Sequence, residues 1–373
     1  MVIRRGSRPR LAILTNMIPP YRIDLLERLG DSFETKVFLS GFEGNRSWNP
    51  EPTLRNVSVQ ESWGLTIDRS RGCPGFDRRF LHITPGYLKD LSRFRPHAVI
   101  SAELGARSIA AMAYGLSTRT PVWVWWGGTP HTERNIGVAR RLLRRSVAPL
   151  IPRWISYGTS ATRYIRSLRV PMSRVLQVQN VIDEGPFQTD VTPAPITLPR
   201  PIGLFVGQFI GRKGLDRLLR AAARAKRIGR EFSLVLVGSG PDEPRLRTFA
   251  KRFLADRVAF FPSVGHRQLP GLYRAADFFV FPTLEDVWGL VANEALWSGL
   301  PVLCSIYAGC VEDLIPASNR FDPLSDQDFD RGIALAVSRR LAPPDVSRLW
   351  TSERLAAAIA EDVEVFVSKR SAS

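Results

Sequence analysis

The stretch TLEDVWGLVANEALWSGLPV, residues 283 to 302, follows one apolar, β-leaning run, FFVFP (278–282), and opens another, PVLCS (301–305). A helix is expected between them, from near Val287 through Leu290, Ala295 and Leu296 to Gly299, with Pro301 barring its continuation. So tight a strand–loop–helix–strand path puts Glu285, Asp286, Trp288 and Gly289 at the mouth of a parallel sheet, where open α/β sheets bind ligands. Backbone N–H groups from Gly289 onward would face an anion there. Asp286 and Glu294 lie before and along this helix. They suit sugar hydroxyls; equally, Asp286 can cap the helix and Glu294 face solvent.

Outward from this stretch the same grammar repeats. Toward the N-terminus of this half come strand IGLFVG (202–207), helix 214–228, strand FSLVLVG (232–238), helix 242–254, strand VAFFP (258–262) and helix 267–275. The first half alternates likewise. LAILTN (11–16) precedes a Pro19-Pro20 loop and a helix from Tyr21 to Leu29. TKVFLS (35–40), helix 85–94, HAVISA (97–102), helix 105–116 and PVWVWWG (121–127) follow. RWISYGTS (153–160), helix 161–168 and RVLQVQN (174–180) complete it. Alternating strands and helices with short loops mean doubly wound parallel sheets, an α/β protein. Residues 41–80, rich in Gly, Pro, Arg and Trp, give no periodic signal.

The proline-rich DVTPAPITLPRP (190–201) reads as a linker. It divides the chain into a domain over 1–190, a linker over 191–201 and a second domain over 202–350. A last helix over 352–367, capped by Ser352, is expected to pack back on the first domain. At 373 residues there is length for two cores.

Cys73, Cys304 and Cys310 have no metal or disulfide spacing, so no metal site is expected. The apolar run after the basic opening is too short for a signal peptide, and no segment approaches the ~20 residues that span a bilayer. A cytoplasmic protein is expected, with peripheral contact at the inner membrane face open to it. Charge is lopsided: residues 1–200 carry 29 Lys and Arg against 15 Asp and Glu, a net of +14, and the remainder only +3. Such an excess implies an anionic partner. Its densest patch is VARRLLRRSV (138–147), where Arg140, Arg141, Arg144 and Arg145 would meet an anionic membrane surface. Nucleic acid is not expected, because no recognition motif is present.

GQFIGRKG (207–214) closes strand 202–207 with a glycine-rich turn that delivers Arg212 and Lys213 to a helix start, suited to a diphosphate. Leu215 after Gly214 excludes a Walker loop, and VGSGP (237–241) lacks the third glycine of a dinucleotide fingerprint. Val264-Gly265, after strand 258–262, could present backbone to a nucleobase edge.

In order, GQFIGRKG, LVLVGSGP, YRAADFFVFPT and EDVWGLVANEALWSGLPV resemble the C-terminal domain of family-4 retaining glycosyltransferases with the GT-B fold, over about 201–316. RVLQVQNVID and WWGGTPHTERN extend the likeness, and NMIPPYR resembles a subgroup with Pro-Tyr-Arg in its first loop. The resemblance implies two Rossmann-like domains facing a cleft. By this resemblance Asp286 would take the first acidic position of a Glu-x7-Glu motif and contact the donor sugar, and Glu294, at the second, would hold the ribose. Lys213 matches the lysine that binds the donor diphosphate, and Gly289 and Leu290 match the positions whose N–H groups cradle it. Gln208 stands where many members have arginine, which shifts weight to Arg212. His131 falls near a histidine facing the reacting sugar, and Tyr21 and Arg22 lie on the acceptor side. Val181 replaces a usual glycine.

The implied reaction is metal-independent transfer, with retention, from a UDP- or GDP-sugar to a glycan or lipid-linked acceptor in polysaccharide or glycolipid synthesis. No cofactor is expected beyond the nucleotide-sugar substrate. Two alternatives stand beside it: another GT-B enzyme, such as an epimerase or phosphorylase, and a non-catalytic nucleic-acid-binding protein.

Overall fold

The computed structural model describes residues 8–41, 54–68 and 80–371, the last three by backbone alone. Cys73 and much of the stretch 41–80 lie outside them. The chain forms two compact units, one of residues up to Asp183 together with those from Trp350, the other Glu184–Leu349.

In the first unit the order is β1 (Arg10–Thr15), α1 (Ile23–Ser32), β2 (Glu34–Leu39), β3 (Val57–Glu61), β4 (Leu65–Asp68) and β5 (Phe80–Ile83). Then come α2 (Gly86–Phe94), β6 (Ala98–Ala102), α3 (Ala106–Thr118), β7 (Val122–Trp126), α4 (Val138–Val147), β8 (Arg153–Tyr157), α5 (Gly158–Ser167) and β9 (Val175–Val178). Seven strands make a parallel sheet in the order β3-β2-β1-β6-β7-β8-β9. The central strands are continuous apolar runs because helices cover both faces. Ala12, Leu14, Phe38, Val99 and Val122 meet Tyr87, Leu91 and Tyr114 of the helices in one core. The unassigned stretch supplies β3, an edge strand parallel to β2, and the antiparallel pair β4 and β5.

The second unit runs α6 (Gly185–Gln188), β10 (Ile202–Val206), α7 (Leu215–Arg227), β11 (Ser233–Val237), α8 (Glu243–Phe253), β12 (Val258–Phe261) and α9 (Leu269–Ala275). It continues with β13 (Phe278–Phe281), α10 (Leu290–Trp297), β14 (Val302–Ser305), α11 (Val311–Leu314), β15 (Arg320–Phe321) and α12 (Asp326–Val337). Its sheet order, β12-β11-β10-β13-β14-β15, is the 3-2-1-4-5-6 pattern of a doubly wound sheet. The order reverses between β10 and β13, which pair through Gly203–Phe278 and Leu204–Phe279. Leu215, Leu218, Leu219, Ala222 and Ala225 fall on one face of α7 and pack on Phe205, Leu234 and Phe278. Each such fully buried large side chain contributes about 2 kcal/mol.

Two segments bear on the expected division of the chain. The proline-rich 190–201, read as a linker, lies within the second unit and is held to it, since Ala194 N–H donates to the Gly271 carbonyl and the Ser233 hydroxyl to that of Pro199. Phe187, ahead of it, is already buried against His266 and Tyr273. The last helix, α13 (Ser352–Ser371), belongs to the first unit and packs on α1. Asp362 accepts from Trp123 Nε1 at 2.7 Å and pairs with Arg153. Its N-terminal cap is Thr351, whose hydroxyl accepts the Arg354 N–H, whereas the Ser352 hydroxyl donates to the Ile182 carbonyl.

Candidate functional site

The reversal between β10 and β13 leaves two loops side by side at the C-terminal ends of these strands. The first, after β10, turns through Gly211–Lys213 into α7. Gly214 carries it past the second loop with φ +70°, and a Cβ there would sit 2.1 Å from the Pro282 carbonyl oxygen. The second loop, after β13, is tied to the first by the Leu284 N–H and the Thr283 hydroxyl, both donating to the Arg212 carbonyl. Arg212 in turn donates to the Glu285 carbonyl. These backbone ties fix the ion pair that follows.

Lys213 Nζ lies 2.5 Å from Asp286 Oδ2, with both side chains only 14% exposed. The ammonium also sits 5.6 Å from the Phe281 ring centroid. Burial drives the Asp286 pKa up, but the charge and hydrogen bond of Lys213, the Trp288 N–H and Arg212 outweigh it and hold the carboxyl below its usual range. The Asp286 backbone is clamped from the far side. Its carbonyl accepts the Gly309 N–H and that of Trp288 accepts the Cys310 N–H, both at 3.0 Å.

The helix begins later than the sequence suggests. Val287 is exposed and Trp288 buried, its indole bonded to Asn293, so the chain reaches α10 only at Leu290. Gly289 makes the entry at φ +100°, where a Cβ would stand 2.3 Å from the Phe281 ring. The start of this helix, with its positive end, therefore lies against the ring that also carries Lys213.

Glu294 is not a solvated helix residue. It is 9% exposed, and its Oε2 accepts the Tyr273 hydroxyl at 2.7 Å. Burial raises its pKa to about 7, against the bond from Tyr273. Tyr273 opens the motif YRAADFFVFPT, which carries no sign of this partnership. Its pairing with a residue 21 positions away is purely tertiary.

Gln208 is half-buried after β10, and Val264 and Gly265 lie on the loop after β12. Among the described residues none of these three bonds to the Lys213–Asp286 pair. The structure thus brings together Arg212, Lys213, Asp286, Gly289 and Leu290, with Glu294 about a turn further along α10. Cationic groups at a helix start bind an anion; carboxylates beside it accept hydrogen bonds from hydroxyls.

The remaining sequence-derived residues belong to the first unit. Tyr21 and Arg22 form the turn Pro20–Arg22 before α1. His131 sits on the loop after β7, in a turn closed by reciprocal Thr129–Thr132 bonds. The four arginines of α4 do not share one face. Arg144 turns inward, paired with Glu133, bonded to the Tyr164 hydroxyl and 4.8 Å above the Trp126 ring centroid. Arg140, Arg141 and Arg145 are exposed beside Val138, Leu142 and Leu143.

Residues 189–347 match the family model described as glycosyl transferases group 1. The chain is similar to alpha-D-kanosaminyltransferase of Streptomyces kanamyceticus, 31% identical over 28% of this chain and 27% of that protein. It is also similar to D-inositol 3-phosphate glycosyltransferase of Nocardia farcinica (strain IFM 10152), 38% identical over 29% and 26%. The matches to these two curated relatives thus span about a quarter of their length. Two solved structures resemble it throughout. Anabaena Alr3699/HepE in complex with UDP and glucose has TM-score 0.64 and 14% identity, covering 98% of both chains. Sucrose-phosphate synthase from Thermosynechococcus elongatus has TM-score 0.67 and 16% identity, covering 98% of this chain and all of that one. The fold is that of GT-B glycosyltransferases.

Proposed function

We propose that the protein transfers a sugar, with retention, from a nucleoside-diphosphate sugar to a hydroxyl of a glycan or lipid-linked acceptor. The observation that carries this reading is the Lys213–Asp286 pair set beneath the start of α10 at the sheet's reversal point. The leaving diphosphate gains negative charge as the anomeric bond breaks. Lys213, Arg212 and the N–H groups of Gly289 and Leu290 would stabilise that charge, which is larger in the transition state than in the ground state. Asp286, kept ionised by Lys213, would accept hydroxyls of the donor sugar, and Glu294 those of the ribose. Gln208 would assist at the diphosphate and the Val264-Gly265 backbone at the base. The role of His131 rests on its place after β7 and is open to substitution.

The UDP complexes of HepE support a uridine nucleotide. A radiolabelled-donor assay with extracted glycolipid acceptors tests the reading. Labelled product retaining the anomeric configuration supports it; epimerised donor would favour the rival enzyme class, and no turnover a binding protein.

A membrane-bound acceptor is supported by α4. Val138, Leu142 and Leu143 are each more than half exposed beside Arg140, Arg141 and Arg145. Apolar side chains rimmed by arginine suit an anionic bilayer surface. Among the described residues no helix is long and apolar enough to cross a membrane.

A further inference from the structure

The first unit has a reversal point of its own, between β1 and β6. The turn holding Tyr21 and Arg22 follows β1 there, and Glu103 follows the last residue of β6. Here the sheet edge is built around a guanidinium. Arg22 lies 4.4 Å from the Trp125 ring centroid and 5.8 Å from that of Tyr157, and it donates to the Tyr157 hydroxyl. Burial lowers its pKa, but Tyr157, Tyr21 and Glu103 more than offset this, so the group stays charged.

A half-buried guanidinium is costly unless an anion meets it. Among the described residues no carboxylate lies within ion-pair distance of Arg22. Its hydrogen-bond partner is the Tyr157 phenol, whose pKa burial pushes up, so it stays neutral. Arg22 is also the N-terminal cap residue of the ten-residue α1, which has no side-chain cap bond, so the positive end of that helix points the same way.

Glu103 adds a strained element. It adopts φ +64°, a region that costs a non-glycine residue on the order of 1 kcal/mol or more. The conformation is imposed by its N–H donating to the Trp125 carbonyl at 2.8 Å and by its own carbonyl accepting the Ser108 hydroxyl. The strain holds an exposed carboxylate at the same edge as Arg22 while leaving it unpaired with that residue.

We infer that Arg22, stacked on Trp125, is a subsite for the phosphate of a phosphorylated polyol, with Glu103 accepting hydroxyls of the same molecule. A planar guanidinium binds phosphate through two parallel bonds, and a carboxylate beside it selects a hydroxylated carrier over a bare anion. This rests on the transferase reading, in which the molecule is the acceptor. The phosphate can belong to a soluble sugar phosphate or to a lipid headgroup.

The experiment is calorimetric titration of the full chain with glucose 6-phosphate and with glucose, using wild type, R22Q, R22K and E103Q. Matched thermal melts establish folding, and UDP is titrated in parallel. Wild type should prefer glucose 6-phosphate by roughly tenfold or more. R22Q should lose that preference, R22K keep part of it, and E103Q weaken the sugar phosphate but not inorganic phosphate, with UDP affinity unchanged in all. Flotation with phosphatidylinositol vesicles, lost in R22Q, would assign the phosphate to a lipid; sugar-phosphate binding without flotation would assign it to a soluble ester. No phosphate preference in wild type, or an R22Q defect confined to UDP, would overturn the assignment. Absence of UDP binding in wild type would instead sink the transferase reading, which the sugar-phosphate titration does not touch.

Discussion

Lys213 and Asp286, 73 residues apart in sequence, meet at 2.5 Å because two loops at neighbouring strand ends are tied backbone to backbone. The pair is preorganised before any ligand arrives. Its strength has a consequence for each partner.

Asp286→Asn keeps the shape but removes the charge that opposes Lys213. UDP affinity should hold or improve, because the ammonium is then free for the diphosphate. Turnover should fall by roughly a hundredfold if the carboxylate holds the reacting sugar. Steady-state kinetics beside UDP calorimetry check this, and unchanged turnover would remove Asp286 from the chemistry.

Glu294 makes binding pH-dependent. Its folded pKa, about 7, lies above the ordinary 4.5, so the folded protein holds an extra proton between these values. The empty protein therefore loses stability as pH rises through that window, and the penalty is fully present above about pH 7. Ribose hydroxyls need the ionised form. UDP affinity should rise from about pH 6 to about pH 8 with proton release on binding. Glu294→Gln should flatten both profiles, raise the melting temperature above pH 7 and weaken UDP. Titrations in buffers of differing ionisation enthalpy read the proton directly.

Much of this site was legible because its residues stand at strand-to-helix junctions, where apolar runs end and glycines and charges cluster. Lys213, Asp286 and Gly289 could be placed that way; the pattern around Glu294, inside the helix, left burial and solvent equally open. The three-residue delay before α10 could not, since it follows from the left-handed Gly289 and the seating of Trp288 on Asn293. The Tyr273 bond to Glu294 and the inward turn of Arg144 are tertiary, and periodicity carries no signal of either. Helix α12 was missed outright, though Ser325 caps it by accepting the Asp328 N–H. The contacts of the proline-rich 190–201 were not legible either, because proline marks non-helical chain and says nothing of what that chain touches.

Gly214→Ala should be severe. The substitution forces both an unfavourable φ and a Cβ against the Pro282 carbonyl. A loss of about 2 kcal/mol or more is expected, with UDP binding lost in step because the two loops separate. Denaturant titration would show it; wild-type stability would mean the turn relaxes freely.

On α4 the arginines should divide. R140Q/R141Q/R145Q should lose flotation with anionic vesicles at low salt while keeping its melting temperature. Arg144→Gln should instead lower the melting temperature by breaking the contacts to Glu133 and Trp126. Equal flotation of the triple variant and wild type would discard the membrane surface.

The most direct test is UDP calorimetry on wild type and Lys213→Ala. Removing the ammonium withdraws a diphosphate partner and leaves the Asp286 carboxylate uncompensated beside the incoming charge. Wild type should bind UDP, and the variant should lose about 2 to 4 kcal/mol of affinity while remaining folded. Equal UDP affinity in the two proteins, or none in wild type, would contradict the placement of a nucleotide-sugar site at the β10–β13 reversal.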